Sequence, residues 1–331
     1  MAHQIETING TSLAVFHRDP AWHRLGTVFA DAPTVAEAID AAHLGGWNVR
    51  TTPLLTSEAS EPKSRFEIEV EVASHRAIVR TNPITGSTDV LGVMGKDFAP
   101  VQNEDAFEFA QNILDVSDVR VEAAGSLREG RRVWLLLRVP DEIVIGDGDR
   151  TLPYLLVANG HDGTQALTVK FTAVRVVCAN TLAMTKRDAG VSFRHTKNVT
   201  NRIDQARKAL EISYAGMEDF QKEAEALLNA KVSEKGWDTF VDRLMPLNVD
   251  SPAQAMTRQI NKREALRNVY EASTQDGIRG TAWGVYNAAV EWSDFYATDK
   301  PNVLATRAVR PATETWKRKA HALASDLFVR S

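Results

Sequence analysis

The chain has 331 residues, 44% of them hydrophobic and 25% charged, with a formal net charge of −4, the make-up of a globular protein with one large core or two ordinary ones. The lone cysteine, Cys178, excludes a disulfide framework and a cysteine-based structural zinc site. No stretch reaches the ~18 apolar residues of a bilayer-spanning helix, and Met1 to Phe16 lacks the basic start and apolar run of a secretory signal. The expected location is therefore cytoplasmic, with no membrane partner.

Residues 1–55 read as a loose N-terminal arm with one short helix, where Thr34 is the N-cap, Glu37 completes a capping box and Gly45-Gly46 ends the pattern. From Phe66 the period becomes strand-like. Phe66, Ile68, Val70 and Val72 alternate with Glu67, Glu69 and Glu71, setting an apolar face against an acidic one. Ala77–Arg80 and Val90–Met94 flank the turn-rich Asn82-Pro83-Ile84-Thr85-Gly86 and predict a hairpin. A helix is expected over Gln102–Leu114, then strands over Val119–Gly125, Arg132–Val139, Leu152–Ala158 and Ala166–Val177. Short connections at Arg128-Glu129-Gly130 and Gly146-Asp147-Gly148-Asp149 favour antiparallel pairing.

After Thr185 the pattern is helical. Val199, Ile203, Ala206, Leu210, Ser213, Met217, Phe220, Ala224 and Leu227 form a heptad seam. The seam either packs on its own bundle or joins two copies of the chain. Further helices are expected at Trp237–Leu244, Ser251–Ser273, Thr281–Tyr296 and Thr313–Phe328. The predicted fold class is α+β: an antiparallel, hairpin-rich β core with one packed helix, followed by a helical C-terminal region. The expected divisions are 1–55 (arm), 56–198 (β-rich core) and 199–331 (helical domain).

Charge is unevenly spread. Residues 165–210 carry nine Lys or Arg against two acids, whereas residues 1–164 carry 14 basic and 24 acidic residues. A positive segment on an acidic chain points to an anionic partner, and nucleic acid is the commonest. Lys170, Arg175, Lys186, Arg187, Arg194, Lys197 and Arg202 are the candidate phosphate contacts, and the interleaved Phe171 and Phe193 are candidates to stack on unpaired bases. The competing account is a solvated face that pairs with the acidic first half.

Three other clusters carry weaker signals. In Asn159-Gly160-His161-Asp162-Gly163-Thr164, a histidine held by a carboxylate would suit proton transfer, but turn chemistry explains the same residues. His23 in Trp22-His23-Arg24-Leu25-Gly26-Thr27 is a ligand candidate, or a segment docked on its own core. The aromatics of Gly280–Trp292 fall at helical spacing and read as core. The scattered histidines supply no metal-ligand spacing, and Gly92-Val93-Met94-Gly95-Lys96-Asp97 lacks the spacing of a phosphate-binding loop. No cofactor, no metal and no catalytic residue is predicted.

Several segments together resemble a family of phages, prophages and plasmids, known as phage/plasmid-like proteins and classed as a domain of unknown function. They are Ala21–Thr27, Phe98–Asn103, Ala124–Leu127 with Arg131–Trp134, Asn159–Gly163, Phe171–Leu182 and Gly280–Asn287. Phe98 stands where the family has Tyr, which removes a hydroxyl there. The resemblance implies a mobile-element gene and carries over no catalytic residues. In outline the predicted fold is also similar to Rad52-like phage single-strand annealing proteins, which grip the DNA backbone in a basic groove and assemble as rings or filaments. The expected function is single-stranded DNA binding, as an annealing protein acting as a homo-oligomer through the 199–228 helix. Two rivals are a protein that inhibits a host factor, and a metal-dependent nuclease or hydrolase using His161 and Asp162.

Overall fold

The computed structural model describes residues 5–18, 25–59, 67–114, 118–175, 180–182, 190–193, 202–248, 250–297 and 311–330. In chain order the strands and helices are β1 (Thr7–Ile8), β2 (Thr11–Ser12), β3 (Ala14–His17), β4 (Thr27–Phe29), α1 (Val35–Ala41), β5 (Arg50–Ala59), β6 (Glu67–Thr81), β7 (Thr88–Gly95) and α2 (Asn103–Leu114). Next come β8 (Arg120–Leu127), β9 (Arg132–Arg138), β10 (Ile143–Ile145), β11 (Asp149–Gly160), β12 (Leu167–Arg175), β13 (Asn180–Leu182) and β14 (Gly190–Phe193). The helices α3 (Arg202–Asn229), α4 (Glu234–Leu244), α5 (Ala253–Glu271), α6 (Ala282–Glu291) and α7 (Pro311–Phe328) follow, with a π-helical turn at Trp292–Tyr296 after α6. This is an α+β fold with antiparallel-rich sheets and C-terminal helices.

The large sheet runs β13-β12-β11-β9-β8-β3-β4, with β10 added to β11 and β14 to β12. All its pairs are antiparallel except β3 with β4. Period-2 alternation sorts its side chains to two faces. Val133, Leu135 and Leu137 of β9 enter one core with Phe107 of α2 and Ala38 of α1, while Trp134 and Leu136 join Phe16, Tyr154 and Leu156 on the other face.

The N-terminal segment is no loose arm in the structure. Ala14–His17 is wholly buried and pairs with β8 through Ala14↔Gly125. Leu13, Val15, Trp47 and Val49 are core residues. Four residues are too short for the alternation to identify a buried strand, and only the long-range pairing reveals it. The α1 capping box forms as the sequence implies, with Thr34 Oγ1 accepting from the Glu37 N–H at 3.2 Å and Glu37 Oε2 accepting from the Thr34 N–H at 2.8 Å.

A second, three-stranded sheet has the order β5-β6-β7. β7 pairs only with His75–Thr81, so the β5–β6 ladder continues past it as a two-stranded ribbon from Leu55/Glu71 to Ala59/Glu67.

The helical region has its own core. Phe220, Ala224 and Leu227 of α3 meet Trp237 and Phe240 of α4, Leu266 and Tyr270 of α5, and Ala320 and Ala324 of α7 around α6, which is buried over its whole length. Ile143, Ile145 and Ala173 of the large sheet enter the same cluster. The C-terminal half of the heptad seam therefore packs inside the chain.

Candidate functional site

The basic segment spans four elements that the fold gathers at one end of the large sheet. β12 carries Lys170 and Arg175, and it pairs with β13 through Arg175↔Asn180 and with β14 through Leu167↔Phe193. The helix α3, which opens at Arg202, packs against both β12 and β14. Lys170, Arg175 and Phe193 thus lie along one edge of the sheet, while α3 meets β12 through Phe220, well along the helix from Arg202. Lys186, Arg187, Arg194 and Lys197 lie outside the described residues, as does His23.

Two side chains from this set are engaged internally. Lys170 Nζ donates to Glu314 Oε2 of α7 at 3.0 Å, and Arg318 donates to Glu314 Oε1 at 2.8 Å. Burial pushes the Glu314 carboxyl up, but Lys170 and Arg318 outweigh it and hold the group below its ordinary range. The Phe171 ring meets Phe220 edge-on at 6.1 Å, and Phe220 meets Trp283 at the same distance. Phe171 is packing for the helical core.

His161 and Asp162 act separately. His161 is buried, with its Nε2 2.8 Å from Asn103 Oδ1 and its ring 5.8 Å from Trp47. Asn103 uses its Nδ2 to donate to the Leu44 carbonyl. Its Oδ1 is therefore an acceptor, and His161 carries the proton on Nε2. Asp162 Oδ1 accepts from the Thr164 N–H and hydroxyl at 3.0 and 2.6 Å, an Asx turn. The arrangement ties the β11–β12 turn to the start of α2.

Composition and spacing gave no warning of a buried charge cluster around Arg80. This side chain is 1% exposed, yet its guanidinium donates to both carboxylate oxygens of Glu6, to Asp89 Oδ2 at 2.9–3.0 Å, and covers the Trp47 ring at 4.2 Å. Ser126 Oγ donates to Glu6 Oε2 at 2.6 Å, and Asn82 Nδ2 donates to Asp89 at 2.8 Å. Two carboxylates and a ring face satisfy one cation that burial would otherwise make very costly. Arg80 lies two residues after Ile78 on the same strand face, and only the burial of Ile78 in the structure reveals that this face points inward.

Above this cluster opens a cleft of about 730 Å³, rimmed by Arg128, Glu129 and Arg131. Arg128 and Glu129 adopt left-handed φ of 55° and 59°, and Gly130 follows at 84°. A Cβ on Gly130 would lie 2.2 Å from Arg80 Nη1, so the glycine is required for the turn to close over the guanidinium.

A second buried polar cluster lies in the helices. Asn287, Glu291 and Asp294 recur at i, i+4 and i+7 and are all buried. Glu291 accepts from Gln275 Nε2 at 2.8 Å and from Thr274 Oγ1 at 3.1 Å. Asp294 pairs with Lys317 at 2.7 Å, and His321, one turn on, lies 3.3 Å from Glu223. The π-helical turn containing Asp294 is a geometry often found at functional positions. Two acids inside the apolar Ala282–Tyr296 stretch were the signal, which the aromatic spacing obscured.

Among the described residues, no three His, Cys, Asp or Glu side chains group as metal ligands, and no helix is long and apolar enough to cross a membrane. The molecule is an α+β protein whose sheet edge carries a basic segment and whose charged clusters are internally paired. The chain belongs to the family described as Domain of unknown function (DUF932), which matches residues 90–323. No curated protein and no solved structure matches it.

Proposed function

We propose that this protein is a phage- or plasmid-encoded single-stranded DNA-binding protein of the annealing type, Rad52-like in outline, acting as a homo-oligomer in the host cytoplasm. One observation carries the reading: β12, β13, β14 and α3, which bound the segment with nine basic and two acidic residues, meet at a single edge of the large sheet. Charges that are adjacent in sequence but scattered in space would make a diffuse field, whereas charges on converging elements make a track. Arg175, Lys186, Arg187, Arg194, Lys197 and Arg202 are the proposed phosphate contacts, with Phe193 as the stacking residue. Lys170 is paired with Glu314 and would serve to set the position of its strand against α7. Self-association is assigned to the first half of α3, Ile203 to Leu210, because Phe220, Ala224 and Leu227 are committed to the chain's own core.

The test is an electrophoretic titration of a labelled single-stranded oligonucleotide at low and moderate salt. The expected result is binding that weakens steeply with salt, as counterion release requires. No complex below tens of micromolar protein at low salt would sink the reading. Sedimentation with and without the oligonucleotide then tests assembly, and a monomer in both conditions refutes the oligomer.

A further inference from the structure

We propose that the outer face of α5 docks in the major groove of duplex DNA. This surface lies outside the 165–210 segment, and the inference stands on its own residues whatever that segment binds.

The C-terminal half of α5 is anchored. Leu266, Val269 and Tyr270 are buried, and Tyr270 stacks on Trp237 of α4 at 4.1 Å between ring centroids. The inner side of the N-terminal half is tied to the end of α4 and the connection after it. Arg263 donates to Asp242 Oδ1 and to the Met245 carbonyl, both at 2.8 Å, and Gln259 accepts from the Asn248 N–H at 3.1 Å. The helix is therefore held from below from Gln259 onwards, while none of its first ten residues is fully buried and only Ala255, Met256 and Gln259 are half-buried.

What that half exposes is chemically selective. Gln254, Arg258 and Asn261 follow at steps of four and three along one face, with Thr257 and Lys262 beside them, and all five are exposed. No acidic residue occurs from Ser251 to Arg263. Neither Arg258 nor Lys262 pairs with a described residue, although they sit at i, i+4, where like charges oppose helix formation. A polar helix face whose two cations lack opposite-charge pairs gains little from its own structure. An anionic partner removes the repulsion.

The side-chain set identifies which anion. Arg and Lys read guanine edges, and Asn and Gln read adenine edges, in the major groove of B-DNA. Ten helical residues span about 15 Å, enough to cross a groove ~12 Å wide. The face has no aromatic ring to stack on unpaired bases, which separates it from a single-strand site. A-form RNA presents a deep, narrow major groove that a helix face does not enter.

Fluorescence anisotropy of the full-length protein with a 20-base-pair duplex tests the proposal. The double variant Arg258→Ala/Lys262→Ala should bind the duplex about tenfold more weakly and lower the log–log salt slope by about 2, one phosphate-equivalent per cation lost. Binding to a single strand should be unchanged, and an unchanged melting curve would show that the fold is intact. Asn261→Ala should weaken binding to some duplex sequences more than others, as loss of an adenine contact requires. Absence of duplex binding by the unaltered protein, or equal duplex affinity for the double variant, overturns the proposal. So does a parallel loss of single-strand and duplex binding, or equal affinity for duplex RNA.

Discussion

Asp294 and Lys317 meet at 2.7 Å where neither side chain is more than 2% exposed. Desolvation takes back much of what their attraction supplies, so the pair adds little net stability. Breaking it on one side leaves a buried charge without a counterion. Lys317→Met should therefore lower the free energy of unfolding by about 3–5 kcal/mol. The double variant Asp294→Leu/Lys317→Met should recover most of that loss. Urea denaturation at neutral pH measures both, and a double variant as unstable as the single would refute the account.

Gly130 faces a comparable constraint from the backbone. Its φ of 84°, and the mere 2.2 Å that would separate an added Cβ from Arg80 Nη1, both oppose a side chain there. Gly130→Ala should cost about 1–3 kcal/mol, the range for a strained left-handed residue. Arg128→Gly and Glu129→Gly, at φ of 55° and 59°, should each be neutral or stabilising. Thermal melts of the three variants decide this, and three equal shifts would contradict it.

Two carboxylates should respond to acid in opposite directions. Lys170 and Arg318 outweigh burial and hold Glu314 below its ordinary value of 4.5. Its contribution is present above the unfolded pKa and is lost as pH falls through the folded one. Glu314→Gln should therefore flatten the acid limb of the stability curve between about pH 5 and pH 3. Glu122 is raised from 4.5, chiefly by burial, which outweighs the attraction of His17 and Arg138. Its ionised form costs stability at neutral pH, and that cost disappears as pH falls through the raised folded pKa. Glu122→Gln should be more stable than the unaltered chain at pH 7 and lose this advantage towards pH 4. Denaturation midpoints across pH 3–7 would show the two variants diverging, and shifts of one sign would sink the assignment.

The basic segment predicts a salt signature. Replacing Arg187, Arg194 and Lys197 together by Gln should reduce the log–log salt slope of single-strand binding by about 2, at roughly 0.7 per phosphate contact. Lys170→Gln should leave the slope unchanged, since its charge is already matched by Glu314. Anisotropy titrations between 50 and 200 mM salt, a range over which phosphate contacts register strongly, measure both variants. A Lys170 variant that alters the slope as much as the triple variant would reassign the interface.

Local patterns accounted for most of the elements. Thr34 and Glu37 set the start of α1, the alternation from Ile68 to Val72 belongs to β6, and the expectations from Val119 onwards fall close to β8, β9, β11, β12 and α3 to α7. Each depends on neighbours within a few residues, which is the range of periodicity, capping and turn chemistry. β10 and β13 were not anticipated, and β14 is a strand where the pattern after Thr185 reads as helical. The buried β3 strand was not legible, because four residues carry too little pattern and its partner Gly125 lies far along the chain.

The sequence by itself therefore determined the α+β class, the order of the longer elements from Val119 onwards and the concentration of positive charge between Gln165 and Leu210. Only the tertiary structure decided which charges are committed. Arg80 finds Glu6 across 74 positions, Lys170 finds Glu314 across 144, and His161 finds Asn103 across 58. Buried ionisable groups need partners of opposite charge or matching hydrogen-bond capacity. Chain topology chooses those partners, and no local pattern encodes that choice.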